Sequence, residues 1–184
     1  MTPAARVSAA IEVVAEIETR RRPAADALKD WGLARRFAGS GDRAAIAGLV
    51  YDALRRKASA AFVMGADAPR AVVLGMLRLE RKLDAAAIAR LADGARFAPA
   101  PLSEEERARL DVADLAGAPP WVAGDYPEWL DAALARVFGD ERAAEGAALA
   151  TRAPCCSACS GSSASSMRRR SRGWRTARAL RLRR

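Results

Sequence analysis

Two runs of consecutive cations are the residues with the most evident chemistry in this sequence. Three arginines stand at residues 20–22, and two arginines and a lysine stand at residues 55–57. Clustered cations can bind RNA phosphates, because backbone charge supplies most of the non-specific affinity for a nucleic acid. Both runs also follow apolar residues at helical spacing, where positive charge simply favours a helix C-terminus. Residue chemistry alone favours this second interpretation.

Candidate catalytic and metal-binding groups are sparse. The chain has no histidine, which removes the usual general base and the commonest metal ligand. Cys155, Cys156 and Cys159 lie close together in sequence, but three thiols without a histidine or a fourth cysteine leave a zinc site incomplete. Gly39-Ser40-Gly41 lacks the preceding strand and third glycine of a dinucleotide-binding turn, so we expect a plain loop there. The sequence therefore predicts neither a catalytic site nor a metal site.

The net charge of +9 is concentrated at the C-terminal end of the chain. Residues 155–184 contain nine arginines and no acidic residue, and removing these nine from the 31 basic residues leaves 22 against 22 acidic ones. The body, residues 1–154, is therefore neutral, and inferences from a high isoelectric point apply only to the tail. The serine- and arginine-rich composition of the tail, which has no apolar periodicity, predicts disorder.

The sequence has none of the features of a secreted or membrane protein. No apolar run of about 18 residues is present. Glu12, Glu16 and Glu18 interrupt the N-terminal segment, which argues against a signal peptide. The body also has no cysteine, and so shows no disulfide framework. We therefore expect a cytoplasmic protein without membrane association.

Helical spacing and helix-end signals predict an all-α fold. No segment alternates apolar and polar residues convincingly, so no strand is predicted. Residues 97–102 and 117–124 contain prolines and are expected to be loops. The chain is expected to form a bundle of about seven or eight helices. These helices are predicted to begin near Pro3, Pro23, Asp42, Pro69, residue 84, Ser103, Pro127 and Asp140.

Several of these elements carry specific expectations. Asp42 is expected to cap the third helix. Ser103 and Glu106 have the spacing of a capping box. Residues 72–79 are apolar nearly all round, which indicates a central, buried helix. The tryptophans expected to anchor the core or its edge are Trp31, Trp121 and Trp129.

One stretch of the predicted third helix resembles a known family. The residues that carry the resemblance are Gly41-Asp42-Arg43, Ile46, Leu49-Val50-Tyr51 and Leu54-Arg55-Arg56-Lys57. They are similar to the second-core-helix signature of NusB-like domains, which are helical RNA-binding modules. One group of these domains works in transcription antitermination, and another forms the N-terminal domain of bacterial ribosomal-RNA cytosine-C5 methyltransferases of the RsmB type. In this pattern, Tyr51 is expected to reach a polar partner at the core edge.

A second stretch distinguishes these two groups. Tyr126-Pro127-Glu128-Trp129-Leu130, Phe138-Gly139 and Glu141 resemble the segment that joins the helical domain to the methyltransferase part. Antitermination proteins usually end before such a segment. The resemblance covers about residues 4–154. It implies the front of an enzyme that uses S-adenosylmethionine and a cysteine nucleophile on cytosine in small-subunit ribosomal RNA.

The sequence departs from that family after residue 154. In the family, Arg152-Ala153-Pro154 would lead into an apolar strand and an S-adenosylmethionine-binding domain, but here a Cys/Ser-rich stretch follows. Ala153-Pro154-Cys155 is similar to the family's catalytic Pro-Cys motif, yet Arg152 stands where the family has an acidic residue, and a predicted helix precedes it. We hypothesise a frameshift near codon 154. A glycine-rich cofactor-binding motif in a shifted frame would support that hypothesis.

The predicted organisation has three parts. Residues 1–124 would form a NusB-like RNA-binding domain, residues 125–154 a helical linker toward a missing methyltransferase domain, and residues 155–184 a disordered basic tail. The resemblance makes RNA, ribosomal RNA in particular, the expected partner. No cofactor is expected in this chain, and we expect no methyl transfer by the purified protein. The residues expected to contact RNA are Arg20, Arg21, Arg22, Arg43, Arg55, Arg56 and Lys57.

The sequence leaves two other functions open. One is transcription antitermination through RNA and protein partners, against which residues 126–130 argue. The other is a helical interaction module without an RNA function, which the neutral charge of the body allows.

Overall fold

Helices account for most of residues 1–151, which are the residues that the computed structural model describes. Nine α-helices of at least seven residues and one single-turn helix occur in this range, where seven or eight were predicted, and no strand is found in it. The all-α bundle predicted from the sequence is confirmed. The helices are α1 (Pro3–Arg20), α2 (Ala24–Ala34), α3 (Ser40–Arg55), α4 (Lys57–Met64), α5 (Pro69–Leu79), α6 (Ala85–Leu91), α7 (Glu104–Val112), α8 (Pro120–Ala123), α9 (Asp131–Phe138) and α10 (Arg142–Ala150).

Helix α5 lies at the centre of the bundle. Residues 71–77 are all buried, which confirms the prediction of a central apolar helix. This helix packs against α1, α3 and α4, and α1 packs in turn against α2 and α3. Small side chains allow the closest of these approaches. A Cβ built on Gly75 would lie 2.6 Å from the carbonyl oxygen of Ala60 in α4.

Most of the predicted helix ends are confirmed. Thr2 caps α1, because its hydroxyl accepts a hydrogen bond from the backbone N–H of Ala5 at 3.2 Å. At α7, the Ser103 hydroxyl accepts from the Glu106 N–H at 3.1 Å, and the Glu106 carboxylate accepts from the Ser103 N–H at 3.0 Å. These two bonds are the reciprocal pattern of a capping box. Gly139, with a φ of 56°, ends α9.

The predicted start of α3 is wrong. The helix begins at Ser40, with Gly39 as its N-terminal cap, so Ser40 and Gly41 are helical and not part of a loop. Asp42 does not cap it, because its carboxylate accepts hydrogen bonds from the Met1 amino group at 3.1 Å and from Arg6 Nε at 2.9 Å. These cations lower the pKa of Asp42, with the Met1 amino group as the larger cause. Asp42 therefore links α3 to the beginning of α1.

The chain from residue 55 to residue 64 also differs from the prediction. Arg56 leaves the helical conformation, with φ −105° and ψ 23°, and α4 begins immediately after it. Residues 55–57 were expected to end a helix, and α4 was not predicted. The break turns the chain sharply enough for α4 to lie against α5.

Residues 120–150 form a small helical assembly of their own. Residues 117–124 were expected to be a loop, but they contain the single turn α8, which packs against α4 and α10. Tyr126 is buried, and its hydroxyl donates a hydrogen bond to the Asp131 carboxylate at 2.7 Å. Arg142 Nε donates to the same carboxylate at 2.8 Å. The hydrogen bond from Tyr126 is the larger cause of a lowered Asp131 pKa, and burial raises the pKa of Tyr126.

Several predictions concern residues outside the described part of the chain. These are the disorder of residues 155–184, the cysteine cluster and the departure from the family after residue 154. The division at residue 124 also stays a prediction, although residues 1–151 form one compact unit. Among the described residues, no single helix is long and apolar enough to cross a membrane.

The approach of α4 to α5 predicts that Gly75→Ala destabilises the protein. The new methyl group would press on the backbone of Ala60, and overpacking of this kind typically costs about 1–3 kcal/mol. The free energy of unfolding, measured by urea denaturation, should fall by that amount. Gly41→Ala is the control, because a Cβ at Gly41 would meet no described atom within 4 Å. Equal stability of the two variants would contradict this packing.

Candidate nucleic-acid interface

The predicted cationic run at residues 20–22 lies where α1 ends and α2 begins. Arg22 donates to Glu16 at 3.1 Å and to Asp30 of α2 at 2.6 Å, so it joins the two helices. The hydrogen bond to Asp30 is the main cause of a raised Arg22 pKa. Arg20 lies 3.5 Å from Glu16 and is otherwise exposed. Arg21 is exposed and forms no ion pair with the described residues, so it is the member best placed for an external phosphate.

Arg56 is held inside the fold by two acidic residues. Its Nε lies 3.0 Å from Glu80 at the end of α5, and its Nη1 lies 3.3 Å from Asp125. The Asp125 side chain is only 1% exposed. It also accepts hydrogen bonds from the Ser59 N–H at 2.9 Å and the Ser59 hydroxyl at 2.8 Å, which satisfies a donor in the first turn of α4. Arg56 is therefore a structural cation, and the prediction that it contacts RNA finds no support in this geometry.

The neighbours of Arg56 are engaged in the same way. Arg55 and Arg81 both form ion pairs with the buried carboxylate of Asp52. Lys57 lies 2.7 Å from Glu18 of α1. The run at residues 55–57 is therefore close together in space, but its charge is balanced within the fold.

Residues 41–57 carried two further predictions, a polar partner for Tyr51 and an RNA contact for Arg43. Tyr51 was expected to find a polar partner, but it is exposed and forms no hydrogen bond with the described residues. Arg43 is exposed, and its Nε donates to the carbonyl oxygen of Ala38 at 2.9 Å. That bond fixes the turn between α2 and α3, which carries Phe37. Arg43 is therefore bonded to the turn next to Phe37, and its contact with RNA stays a prediction.

A cavity of about 630 Å³ opens beside the N-terminal half of α1. The end of α2, the turn that follows it and the loop between α6 and α7 form its other walls. Its lining residues are Met1, Thr2, Ala5, Ser8, Ala9, Glu12, Trp31, Arg35, Phe37, Arg96 and Phe97. We call it the arginine–aromatic cavity, after Trp31, Arg35, Phe37, Arg96 and Phe97.

The aromatic residues of this cavity differ in burial. Trp31 is 5% exposed and forms the cavity wall, whereas Phe37 is 74% exposed and Phe97 is 68% exposed. The Arg35 guanidinium lies 5.1 Å from the centre of the Trp31 ring, and the Arg96 guanidinium lies 4.9 Å from that of Phe97. Each contact is a cation–π pair. Arg35 therefore lies over a buried ring, and Arg96 lies over an exposed one.

The loop that carries Phe97 is braced and strained. Phe97 has a φ of 70°, in the left-handed region that bulky side chains rarely adopt. Such a conformation costs about 1–3 kcal/mol and persists only where the surroundings enforce it. Arg70, in the first turn of α5, supplies part of that support. Its Nη2 donates to the carbonyl oxygens of Ala100 at 2.9 Å and of Pro101 at 3.1 Å.

Glu106 completes this brace. Its carboxylate accepts a hydrogen bond from Arg70 Nε at 2.7 Å, and this bond is the main cause of a lowered Glu106 pKa. The same carboxylate forms the α7 capping box. The loop, the central helix α5 and α7 are therefore connected through one arginine and one carboxylate.

The charges that line the cavity leave it positive. Glu12 is its acidic residue, and it accepts hydrogen bonds from Trp31 Nε1 at 3.2 Å and from Arg35 at 2.7 Å. The Met1 amino group at the rim is paired with Asp42. Arg96 forms no ion pair with the described residues, so its charge is available to an anion.

This site was not predicted from the sequence. Phe97 was placed in a loop, which is confirmed, but neither Phe97 nor Phe37 was considered functional. The available signal was an arginine directly before a phenylalanine outside a helix, at residues 36–37 and again at residues 96–97. Trp31 was predicted to be a core or core-edge residue, which its burial confirms.

The same prediction is wrong for Trp129, which is 79% exposed. With Val137 and Leu149, it forms part of an exposed set of apolar residues in the segment from residue 129 to residue 149. Among the described residues, no group of three or more potential ligands could hold a metal ion.

Substitution of Arg56 separates a structural role from an RNA-binding role. Arg56→Ala removes the cation that faces the carboxylates of Glu80 and Asp125, and breaking a buried ion pair of this kind costs about 3–5 kcal/mol. The free energy of unfolding should fall by that amount in urea denaturation. Arg20→Ala, at an exposed arginine, should change it by less than about 0.5 kcal/mol. Arg56→Ala with wild-type stability would contradict the structural role.

The brace at Glu106 predicts a pH-dependent contribution to stability. Because the folded-state pKa of Glu106 is lowered, its stabilisation is present above the ordinary carboxyl range and is lost as the pH falls through the folded value. Glu106→Gln keeps an oxygen for the capping box but loses the ion pair with Arg70, and should lower stability by about 1 kcal/mol at pH 7. The difference from wild type should shrink below about pH 4.

Urea denaturation at pH 7 and at lower pH measures this difference. Glu105→Gln is the matched control, since the Glu105 side chain is exposed and lies 3.4 Å from Arg109. It should alter stability by less than about 0.5 kcal/mol. A Glu106→Gln deficit that is constant across the pH range would contradict the role of the Glu106 charge.

Comparisons with known proteins add no family to these observations. No family model, no curated protein and no solved structure matches the chain. The resemblance to NusB-like domains therefore stays a prediction that rests on residues 41–57 and 126–141.

Proposed function

We propose that the helical body of this protein binds RNA through the arginine–aromatic cavity. The observation that carries this proposal is a single cavity lined by two exposed phenylalanine rings and two arginines. Arg96 lies over one of these rings, Phe97, and Arg35 lies over the buried ring of Trp31. Rings of this kind stack on nucleobases, and arginines both contact phosphates and stack on bases. A metabolite-binding pocket would be expected to bury most of its aromatic surface, which Phe37 and Phe97 do not.

The finer proposal follows the resemblance noted in the sequence. The body would be the front of a ribosomal-RNA cytosine-C5 methyltransferase, with ribosomal RNA as its partner and with S-adenosylmethionine bound only by the intact enzyme. The exposed apolar residues Trp129, Val137 and Leu149 support this proposal, because they offer a surface against which a following domain could pack. Within such an enzyme, the body would hold the substrate RNA and the following domain would carry the chemistry.

Salt-dependent binding tests whether the body binds RNA. A fragment of residues 1–154, checked for helical content by circular dichroism, is titrated with labelled single-stranded RNA at several salt concentrations. With two or three phosphates contacted, log K should fall with log salt at a slope of about −1.4 to −2.1. The full chain should bind more tightly, because residues 155–184 add nine arginines. If the folded fragment shows no RNA binding while the full chain binds, the proposal is wrong and only the tail was binding.

A further inference from the structure

We infer that the arginine–aromatic cavity takes an unpaired RNA nucleotide, with the base stacked on the exposed phenylalanine rings and the phosphate beside Arg96. This inference deepens the proposed function and rests on it. It specifies single-stranded RNA, at one cavity, as the ligand of the body.

Phe37 and Phe97 are held at the surface, where they do not stabilise the fold. An aromatic side chain that stays in water forgoes about 1.5–3 kcal/mol of burial. Phe97 adds a left-handed backbone conformation at φ 70°, held by the bonds from Arg70 to Ala100 and Pro101. Phe37 lies in a turn whose next residue, Ala38, accepts a hydrogen bond from Arg43. Two separate sets of hydrogen bonds, from Arg70 and from Arg43, therefore hold the segments whose two rings line the same cavity.

The volume and the exposed rings of the cavity suit an unpaired base. Its volume of about 630 Å³ lies within the range of small-molecule sites, about 300–1,000 Å³. The bases of an RNA duplex are stacked on neighbouring bases, so they cannot stack on a protein side chain without leaving the double helix. Unpaired bases are free to do so, and aromatic platforms bind them with little regard to sequence. The cavity thus suits a single-stranded segment, a loop or a bulge.

Positive and negative charges lie on different sides of the cavity. Arg96 has no ionic partner among the described residues and lies over Phe97, so a phosphate next to a base on Phe97 meets an available cation. Glu12 lies on the Trp31 side of the cavity and is already bound by Trp31 and Arg35. A phosphate there would be repelled by the Glu12 carboxylate. The phosphate therefore occupies the side near Arg96, away from Glu12, and the base stacks on the phenylalanine rings.

The test uses the full chain, so that the tail is the same in every protein compared. Affinity for a labelled single-stranded RNA of about a dozen nucleotides, and for a duplex of the same sequence, is measured by fluorescence anisotropy at moderate salt. The variants are Phe37→Ala with Phe97→Ala, and separately Arg96→Ala. Matched controls are Phe138→Ala and Arg136→Ala, which remove the same side-chain types on α9. Thermal melting checks that each protein stays folded.

The double phenylalanine variant should bind single-stranded RNA at least about tenfold more weakly, since stacking on one base is worth about 1–3 kcal/mol. Arg96→Ala should weaken binding about threefold or more and reduce the salt slope by about 0.7, the loss of one phosphate contact. The controls should stay within about twofold of wild type, and duplex affinity should be unchanged in all variants. Arg96→Ala keeps both rings, and so provides a result even if the double variant is poorly folded.

Several outcomes would overturn the inference. If the folded variants bind single-stranded RNA as well as wild type while the fragment of residues 1–154 still binds, the cavity is not the site, and only the proposal that the body binds RNA stands. If that fragment binds no RNA, both fail. Loss of duplex and single-stranded affinity to the same extent would indicate a general phosphate surface. Binding of an acidic, aromatic peptide at the cavity that leaves the affinity for RNA unchanged would assign the cavity to a protein partner.

Discussion

The burial of helix α5 is the constraint on which the rest of this fold depends. Seven consecutive residues of α5 are removed from water, and the bundle closes around them. The two ends of the helix remain polar and are used differently. Arg70 at its beginning holds the loop that carries Phe97, and Glu80, which follows its end, helps to hold Arg56 at the junction of α3 and α4. A buried helix thus fixes both the candidate site and the junction.

Ion pairing decides which cations are available to a partner. A carboxylate that is shielded from water needs a counter-charge, so Asp52 and Asp125 engage the arginines nearest to them. Arg55 and Arg56, which belong to a clear cationic run in the sequence, are therefore among the least available. Arg96 stands in a loop with an aromatic neighbour and is open to an anion. A cluster of cations in a sequence indicates a local density of positive charge, but it does not show which acidic residues will pair with these cations in the folded protein.

Much of the fold could be predicted because its signals are local. The Thr2 cap, the Ser103–Glu106 capping box and the apolar run of α5 depend on residues within a few positions of one another. The errors arose where distant residues compete. Asp42 pairs with the beginning of α1 instead of capping α3. A backbone N–H in the first turn of α4, that of Ser59, donates to Asp125, which lies 66 residues away in sequence. The arginine–aromatic cavity combines three separate segments, and no local pattern could assemble it.

The central claim is that RNA meets the body at the arginine–aromatic cavity and not at the cationic runs. Zero-length ultraviolet crosslinking of the full chain to uridine-containing single-stranded RNA, with the crosslinked residues identified by mass spectrometry, tests this claim most directly. The account predicts crosslinks at Phe37 or Phe97, because stacked aromatic rings are in direct contact with bases. Crosslinks confined to residues 20–22, residues 55–57 or the C-terminal tail would contradict it.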